Sequence, residues 1–181
     1  MIRYQYAPGM AFLTQFRGGG FFPQVYYVPV DSNVITFTDD VIFKSDKRGL
    51  FQVVVLLGRF DEVSDARAHL EGIDKLSEGR VLVAEATYIV HDPTVPLQQD
   101  SPVDGVIRVA RGEEFAKSPL CTGRPEPEDY NELRIQYEMG GKKFIVLRPD
   151  RFVYAACADR AELEQAVRNI PQLLKDGKVE P

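Results

Sequence analysis

Leu50-Phe51-Gln52-Val53-Val54-Val55-Leu56-Leu57-Gly58 is a largely apolar, β-branched run that ends at a glycine. Such a run is typical of a strand buried on both faces, as in a parallel sheet. The residues that follow place apolar side chains on one face of a helix, at Val63, Ala66, Leu70, Ile73 and Leu76. A second apolar run at residues 81–90 predicts another strand. Strand, helix and strand in succession predict a βαβ unit with parallel strands.

The last third of the chain predicts a helix, a hairpin and a second helix. The first helix is predicted over residues 127–139, and Gly140-Gly141 is expected to end it as a left-handed cap. Two apolar stretches, 143–147 and 152–157, flank Arg148-Pro149-Asp150-Arg151, whose proline and aspartate favour a tight turn.

The final helix is predicted over residues 159–174. Asp159 and Glu162 form a capping box at its start. Pro171 is expected to kink or split the helix because proline lacks the backbone N–H.

These elements predict an α/β fold of thioredoxin type, βαβ followed by αββα, around a mixed central sheet. Residues 45–181 would form this domain. Residues 1–44 predict an aromatic-rich β extension packed on the core, with short strands at 25–30 and 34–38. The proline-rich segment 92–126 predicts a long loop with one short strand at 105–109, and loops of that length are often functional.

Composition argues against several classes of protein. A net charge of −5 with scattered basic residues does not favour nucleic-acid binding. No apolar run approaches the roughly 20 residues that a membrane span needs, and Met1-Ile2-Arg3-Tyr4 begins no signal-peptide core. Cys121 and Cys157 lie too far apart to indicate a disulfide framework, so a cytoplasmic location is expected.

Two segments resemble a known domain. Both segments are similar to parts of the C-terminal domain of phenol hydroxylase-type, FAD-dependent aromatic monooxygenases. One is the first strand with its approach, residues 46–56. The other is the hairpin Lys143-Phe144-Ile145-Val146-Leu147-Arg148-Pro149-Asp150-Arg151-Phe152-Val153-Tyr154. The resemblance covers about residues 40–176. It implies a thioredoxin-like domain that is not catalytic in itself and contributes to dimerisation. It also implies that FAD belongs to a separate monooxygenase portion, and no Gly-x-Gly-x-x-Gly loop follows the first strand here.

The cysteines do not match thioredoxin chemistry. A redox-active thioredoxin fold carries Cys-x-x-Cys where the first strand meets the helix, but that junction is Gly58-Arg59-Phe60-Asp61-Glu62. Cys157 is expected to be a packed side chain at a strand end. Cys121, in the predicted loop, is the better candidate for an exposed thiol.

Other candidates for chemistry are few. His69 is expected to be a partly buried structural residue of the first helix. His91 follows Tyr88 at the predicted carboxyl edge of the sheet, where α/β proteins often bind ligands, and Arg59 would lie nearby. His91 and Asp92 could pair only if the strand breaks at Asp92, because adjacent strand residues point to opposite faces. Two histidines without suitable cysteine or carboxylate spacing predict no metal site.

The aromatic extension suggests three roles. Its Phe and Tyr residues could cover one face of the sheet, form a self-association surface or line a pocket for an aromatic ligand. The candidates for the last two roles are Phe12, Phe16, Phe21, Phe22, Tyr26 and Tyr27.

Two functions therefore remain open. One is a non-redox interaction module that forms a homodimer or docks onto a flavin monooxygenase. The other is a small stand-alone enzyme or binding protein for a phenolic or polyketide-like molecule.

Overall fold

The computed structural model of the protein describes residues 13–30, 34–92, 104–125 and 131–175. The strands are β1 (Tyr26–Pro29), β2 (Thr36–Phe37), β3 (Gln52–Arg59), β4 (Thr87–Asp92), β5 (Val106–Val109), β6 (Phe144–Leu147) and β7 (Val153–Cys157). The α-helices are α1 (Thr38–Ile42), α2 (Val63–Leu70), α3 (Ile73–Leu76), α4 (Gly112–Lys117), α5 (Asn131–Met139) and α6 (Arg160–Lys175).

The seven strands of the described residues form one mixed sheet in the order β2-β1-β5-β4-β3-β6-β7. β4 is parallel to both β3 and β5, whereas the other neighbouring pairs are antiparallel. The central strands β4-β3-β6-β7 have the order and directions that βαβ followed by αββα requires. The predicted thioredoxin-like α/β fold is therefore confirmed.

The alternation of side chains along β3 divides the core in two. Val53, Val55 and Leu57 point to the face that α2, α3 and α6 cover. Val54 points to the opposite face, with Ile42 of α1 and with the residues of α5. Each fully buried aliphatic side chain of this kind favours folding by roughly 1.5–3 kcal/mol. Since both faces are covered, β3 is the doubly buried strand that its sequence predicts.

The N-terminal extension reaches both edges of the sheet. Residues 13–22 run beside β7, where the Leu13 amide donates to Tyr154 O at 3.0 Å and the Val153 amide donates to Gly20 O at 2.8 Å. The backbones approach so closely that a side chain at Gly18 would collide with Tyr154 O. The chain then crosses to the other edge, where β1 pairs with β5. The extension therefore covers part of the β7 edge, which would otherwise offer unpaired backbone groups.

Two predicted elements are shorter than their patterns suggested. The helix expected over residues 63–76 is divided into α2 and α3 because Gly72 adopts a left-handed φ of 80°. The strand expected over residues 81–90 begins only at Thr87, and Val83–Glu85 form a 3-10 turn. The Glu85 carboxylate holds this turn by accepting the amides of Arg48 and Gly49, a long-range contact that strand periodicity does not show.

The predicted loop over residues 92–126 contains more structure than expected. β5 confirms the short strand, but α4 was not predicted. Phe115 of α4 is buried, and Glu114 caps the helix by accepting the Arg111 amide at 2.9 Å. Residues 93–103 lie outside the described ranges.

In the extension, β2 is only two residues long because α1 begins at Thr38, whose hydroxyl accepts a hydrogen bond from the Val25 amide.

The C-terminal αββα unit follows its prediction closely. α5 is described from Asn131 and ends at two glycines with left-handed φ, while residues 127–130 lie outside the described ranges. The turn between β6 and β7 is closed by the Arg151 amide donating to Arg148 O at 3.0 Å. α6 runs unbroken through the buried Pro171, so the predicted split does not occur. Its buried apolar stripe holds the helix on the sheet despite the missing hydrogen bond.

Candidate functional site

The junction between β3 and α2 carries no thiol, and its polar groups satisfy one another locally. The Arg59 amide donates to the Glu62 carboxylate at 3.1 Å, and the Arg59 guanidinium pairs with Asp61 at 3.0 Å. Phe60 is buried beneath this turn. Thiol–disulfide exchange needs a thiolate here, so the thioredoxin position of this chain cannot perform it.

Both cysteines are buried. Cys157 is fully buried, as expected of a packed strand residue, and burial raises the pKa of its thiol to about 12. Cys121 was the better of the two candidates for an exposed thiol, and that assignment is wrong because only 6% of the residue is exposed. It packs with Val28 and Phe115 after the unpredicted helix α4. Neither thiol is placed to act as a nucleophile toward a ligand in solution.

The structure does not bring Arg59, Tyr88 and His91 together. Because β4 begins at Thr87, Tyr88 lies at the start of the strand rather than near its carboxyl end. Tyr88 is buried, Arg67 covers its ring with Cζ 4.7 Å from the centroid, and burial raises its hydroxyl pKa. His91 is half-buried and lies on the opposite face of β4 from Tyr88. Arg59 is exposed.

His91 and Asp92 do not form the pair that a strand break would allow. β4 continues through Asp92, so the two side chains point to opposite faces. His69 was expected to be partly buried but is exposed on α2, with Nδ1 2.7 Å from Asp65 O. Within the part of the chain that the structure describes, no three His, Cys, Asp or Glu residues cluster as metal ligands would.

The hairpin motif Arg148-Pro149-Asp150 forms an internal clamp. The Arg148 guanidinium donates to both Asp150 oxygens, at 2.6 and 3.1 Å, which is a bidentate arrangement. The Phe152 amide lies 3.4 Å from the same carboxylate. These contacts stabilise the turn between β6 and β7.

Most described aromatic residues of the extension belong to the core. Phe16, Phe22 and Tyr27 are buried, and Tyr26 is half-buried against Phe115. Phe21 differs because 45% of it is exposed, while its ring contacts that of Phe152 in a tilted arrangement with 3.9 Å between centroids. Phe12 lies outside the described residues.

A cavity of about 620 Å³ opens at the amino ends of β4 and β5, the edge opposite to the predicted one. Its volume is in the range of small-molecule pockets, about 300–1,000 Å³. The first part of its wall comes from the extension and the segment after α1: Tyr27, Pro29, Thr36, Asp40, Val41, Lys44, Asp46 and Lys47. The second part comes from the starts of β4 and β5: Ala84, Glu85, Ala86, Asp104, Gly105, Val106 and Ile107.

Lys47 is the most perturbed basic group of this cavity. Its ammonium donates to the buried Thr87 hydroxyl at 3.1 Å. Burial lowers the pKa of Lys47 to about 8, although nearby Glu85 and Asp46 oppose that shift. Sequence reasoning missed this residue because Lys44 and Lys47 are equally ordinary members of one charged stretch.

The outer face of α5 forms a second unusual feature. Ile135 and Met139 are buried against the sheet, whereas Leu133 and Tyr137 are 54% and 77% exposed. The two exposed residues are four positions apart and therefore neighbours on the helix surface. We call Leu133, Gln136 and Tyr137 the outer α5 face, since all three are exposed.

Comparison with known proteins adds little to this picture. No protein-family model and no curated protein sequence matches the chain. Among solved structures, yeast Sco1 with copper bound aligns over 89% of this chain and 94% of its own, at 12% identity and a TM-score of 0.45. The flavin-dependent monooxygenase PieE, in complex with FAD and substrate, aligns over 94% of this chain and 21% of its own, at 14% identity and a TM-score of 0.42. At such low values neither likeness decides function. None of the described helices is long and apolar enough to cross a membrane.

Proposed function

We propose that this chain is a non-redox thioredoxin-like interaction module that forms a homodimer through the outer α5 face. The observation that carries the proposal is the exposure of Leu133 and Tyr137, 54% and 77%, on one side of a helix whose other side is anchored in the core. Aromatic residues are enriched at the centres of protein interfaces, where their burial contributes strongly to association.

The outer α5 face suits a second copy of the same chain. A two-fold axis across α5 would place Leu133 of one protomer against Tyr137 of the other, and the reverse, as an isologous interface requires. Leu133, Gln136 and Tyr137 are uncharged, so two copies meet without like-charge repulsion. The flanking Arg134 and Glu138 neutralise each other at 2.8 Å.

The β3–α2 junction and the cysteines favour a module over a reductase. The junction holds Arg59 and Glu62 where a redox protein would hold thiols, and Cys157 has a pKa of about 12. The resemblance to the C-terminal domain of phenol hydroxylases also favours dimerisation. It further suggests an FAD-dependent aromatic monooxygenase as the other partner of that same face.

Sedimentation velocity over a hundredfold range of concentration tests the proposal. We expect a dimer whose dissociation constant rises about a hundredfold in Tyr137→Glu, because each dimer loses two buried tyrosines and each such loss is worth about tenfold or more. Gln165→Glu adds the same charge at an exposed site on α6 and should leave the mass unchanged.

A wild-type chain that stays monomeric at every concentration would overturn homodimerisation. Sedimentation of the chain mixed with a purified FAD-dependent aromatic monooxygenase tests whether that enzyme binds the outer α5 face. A complex that Tyr137→Glu abolishes would then assign the outer α5 face to that enzyme instead of a second copy.

A further inference from the structure

The amine of Lys47 is placed differently from that of an ordinary surface lysine. It lies half-buried in the wall of the 620 Å³ cavity and donates one hydrogen bond, to the uncharged Thr87 hydroxyl. Among the described ranges, no carboxylate lies within 4.0 Å of it to form an ion pair. The nearby Glu85 directs its oxygens to the amides of Arg48 and Gly49 instead. The ammonium form of Lys47 is therefore poorly compensated.

This environment leaves a usable fraction of free amine near neutral pH. With a pKa of about 8, Lys47 is unprotonated in a substantial minority of molecules at pH 7.4. An ordinary lysine is unprotonated in only about 0.1% of molecules at that pH. A lysine whose pKa is lowered by burial is a common form of an amine that attacks carbonyl groups.

The charges of the cavity indicate which carbonyl compounds it would admit. Four carboxylates line it (Asp40, Asp46, Glu85 and Asp104) against two lysines. This excess of negative charge opposes anionic ligands such as keto acids and phosphorylated aldehydes. It does not oppose neutral ligands, and apolar walls at Val41, Ala86 and Ile107 offer contact to them.

We propose that this cavity binds a small neutral aldehyde or ketone and that the ε-amine of Lys47 captures it as a Schiff base. The nitrogen lone pair attacks the carbonyl carbon, and a proton moves from nitrogen to oxygen to give a carbinolamine. The remaining proton on nitrogen is transferred to the hydroxyl, which leaves as water while the C=N bond forms, so no oxidant or reductant is needed. Protonation of the imine produces a cation in a cavity whose charged wall residues include four carboxylates and only one other lysine, Lys44. This activity is independent of association through the outer α5 face.

The first experiment compares two lysines of one protein. The full chain is incubated with benzaldehyde and cyanoborohydride at pH 7.4, and the reduced adducts are located by peptide mass spectrometry. We expect Lys47 to be modified at least about tenfold faster than Lys44, because the free-amine fraction of Lys47 far exceeds the roughly 0.1% of an ordinary lysine at this pH. Lys44 is the matched control, since it lines the same cavity but is exposed and pairs with Asp46 at 3.2 Å. Equal rates at the two lysines would overturn the proposal.

The second experiment tests the choice of ligand. 4-Carboxybenzaldehyde has the same reactive group but carries a negative charge, and it should modify Lys47 several-fold more slowly than benzaldehyde does. The two probes should modify Lys75, an exposed lysine of α3 that does not line the cavity, at similar rates. Faster reaction of the anionic probe at Lys47 would contradict the assigned ligand class.

A pH series separates true activation of Lys47 from simple accessibility. The rate at Lys47 should rise with pH and level off above about 8. The other titratable groups that face the cavity are Tyr27 of β1, Asp40 of α1, Lys44, Asp46, Glu85 and Asp104. Burial raises the pKa of Tyr27, so its hydroxyl stays neutral across this range. A rate at Lys47 that is still rising at pH 10, as expected of an ordinary lysine, would overturn the proposal.

Discussion

The two ends of the parallel strands differ in how their polar groups are satisfied. At the carboxyl end of β3, Arg59 finds both of its partners, Asp61 and Glu62, within three positions along the chain. At the amino end of β4, Glu85 binds amides that lie 36 and 37 residues away, and Lys47 faces a cavity. Ligands of α/β sheets usually bind at the carboxyl end. In the described part of this chain, the open site lies at the amino end because the extension and the segment after α1 build walls there.

The largest expected loss of stability comes from removing the Glu85 carboxylate at the amino end of β4. Glu85→Ala removes a carboxylate that accepts the amides of Arg48 and Gly49 at 2.8–3.0 Å and is only 15% exposed. We expect the free energy of unfolding to fall by about 3 kcal/mol, since two amides lose a charged acceptor and each such hydrogen bond is worth at least about 1.5 kcal/mol. Urea titration followed by circular dichroism measures the loss. Glu113→Ala, at an exposed site, should cost under about 0.5 kcal/mol, and an equal loss in both variants would show that Glu85 does not hold this end.

A smaller effect is expected from Lys47, and it depends on pH. The folded-state pKa of Lys47, about 8, is below its ordinary value of 10.5. Between these values the unfolded chain binds a proton that the folded chain has lost, so wild-type stability should rise with pH through that window. Lys47→Met removes the charge, and we expect it to be more stable than wild type by roughly 1–2 kcal/mol at pH 7.

The advantage of Lys47→Met should shrink as pH rises from 8 to 10.5, because the wild-type amine then becomes neutral. Urea titrations of both proteins at several pH values measure this difference, and the comparison cancels groups that titrate alike in both, such as Tyr27 and Tyr88. A difference that stays constant with pH would contradict the lowered pKa.

The smallest effect is expected at the carboxyl end. Glu62→Ala removes the acceptor of the Arg59 amide, a local capping contact worth about 0.5–1 kcal/mol. Asp61→Ala removes only a partly exposed ion pair and should change stability by less than about 0.5 kcal/mol. Thermal unfolding of both variants provides the measurement. A loss of stability in Glu62→Ala as large as that in Glu85→Ala would show that the two ends of the parallel strands do not differ in this way.

Sequence-based predictions were correct where the deciding contacts are local and wrong where they join distant parts of the chain. The hairpin at Arg148–Arg151 and the glycine cap after α5 were predicted because proline, aspartate and glycine act on their own backbone. Tyr88 was placed at the wrong end of its strand because the Glu85 turn depends on partners 36 and 37 residues away. Cys121 was expected to be exposed because the helix that buries it, α4, is too short to show periodicity.

Local patterns of apolar, turn and capping residues were enough to determine the thioredoxin-like order of elements and the absence of a Cys-x-x-Cys pair. These features depend on residue types and short spacings that the chain carries in one dimension. Only the tertiary structure decided that Tyr88 lies at the amino end of β4, that Leu133 and Tyr137 remain exposed, and that Lys47 is desolvated. Each depends on which distant segments pack together, and a side chain's exposure and pKa are set by those neighbours rather than by its own identity.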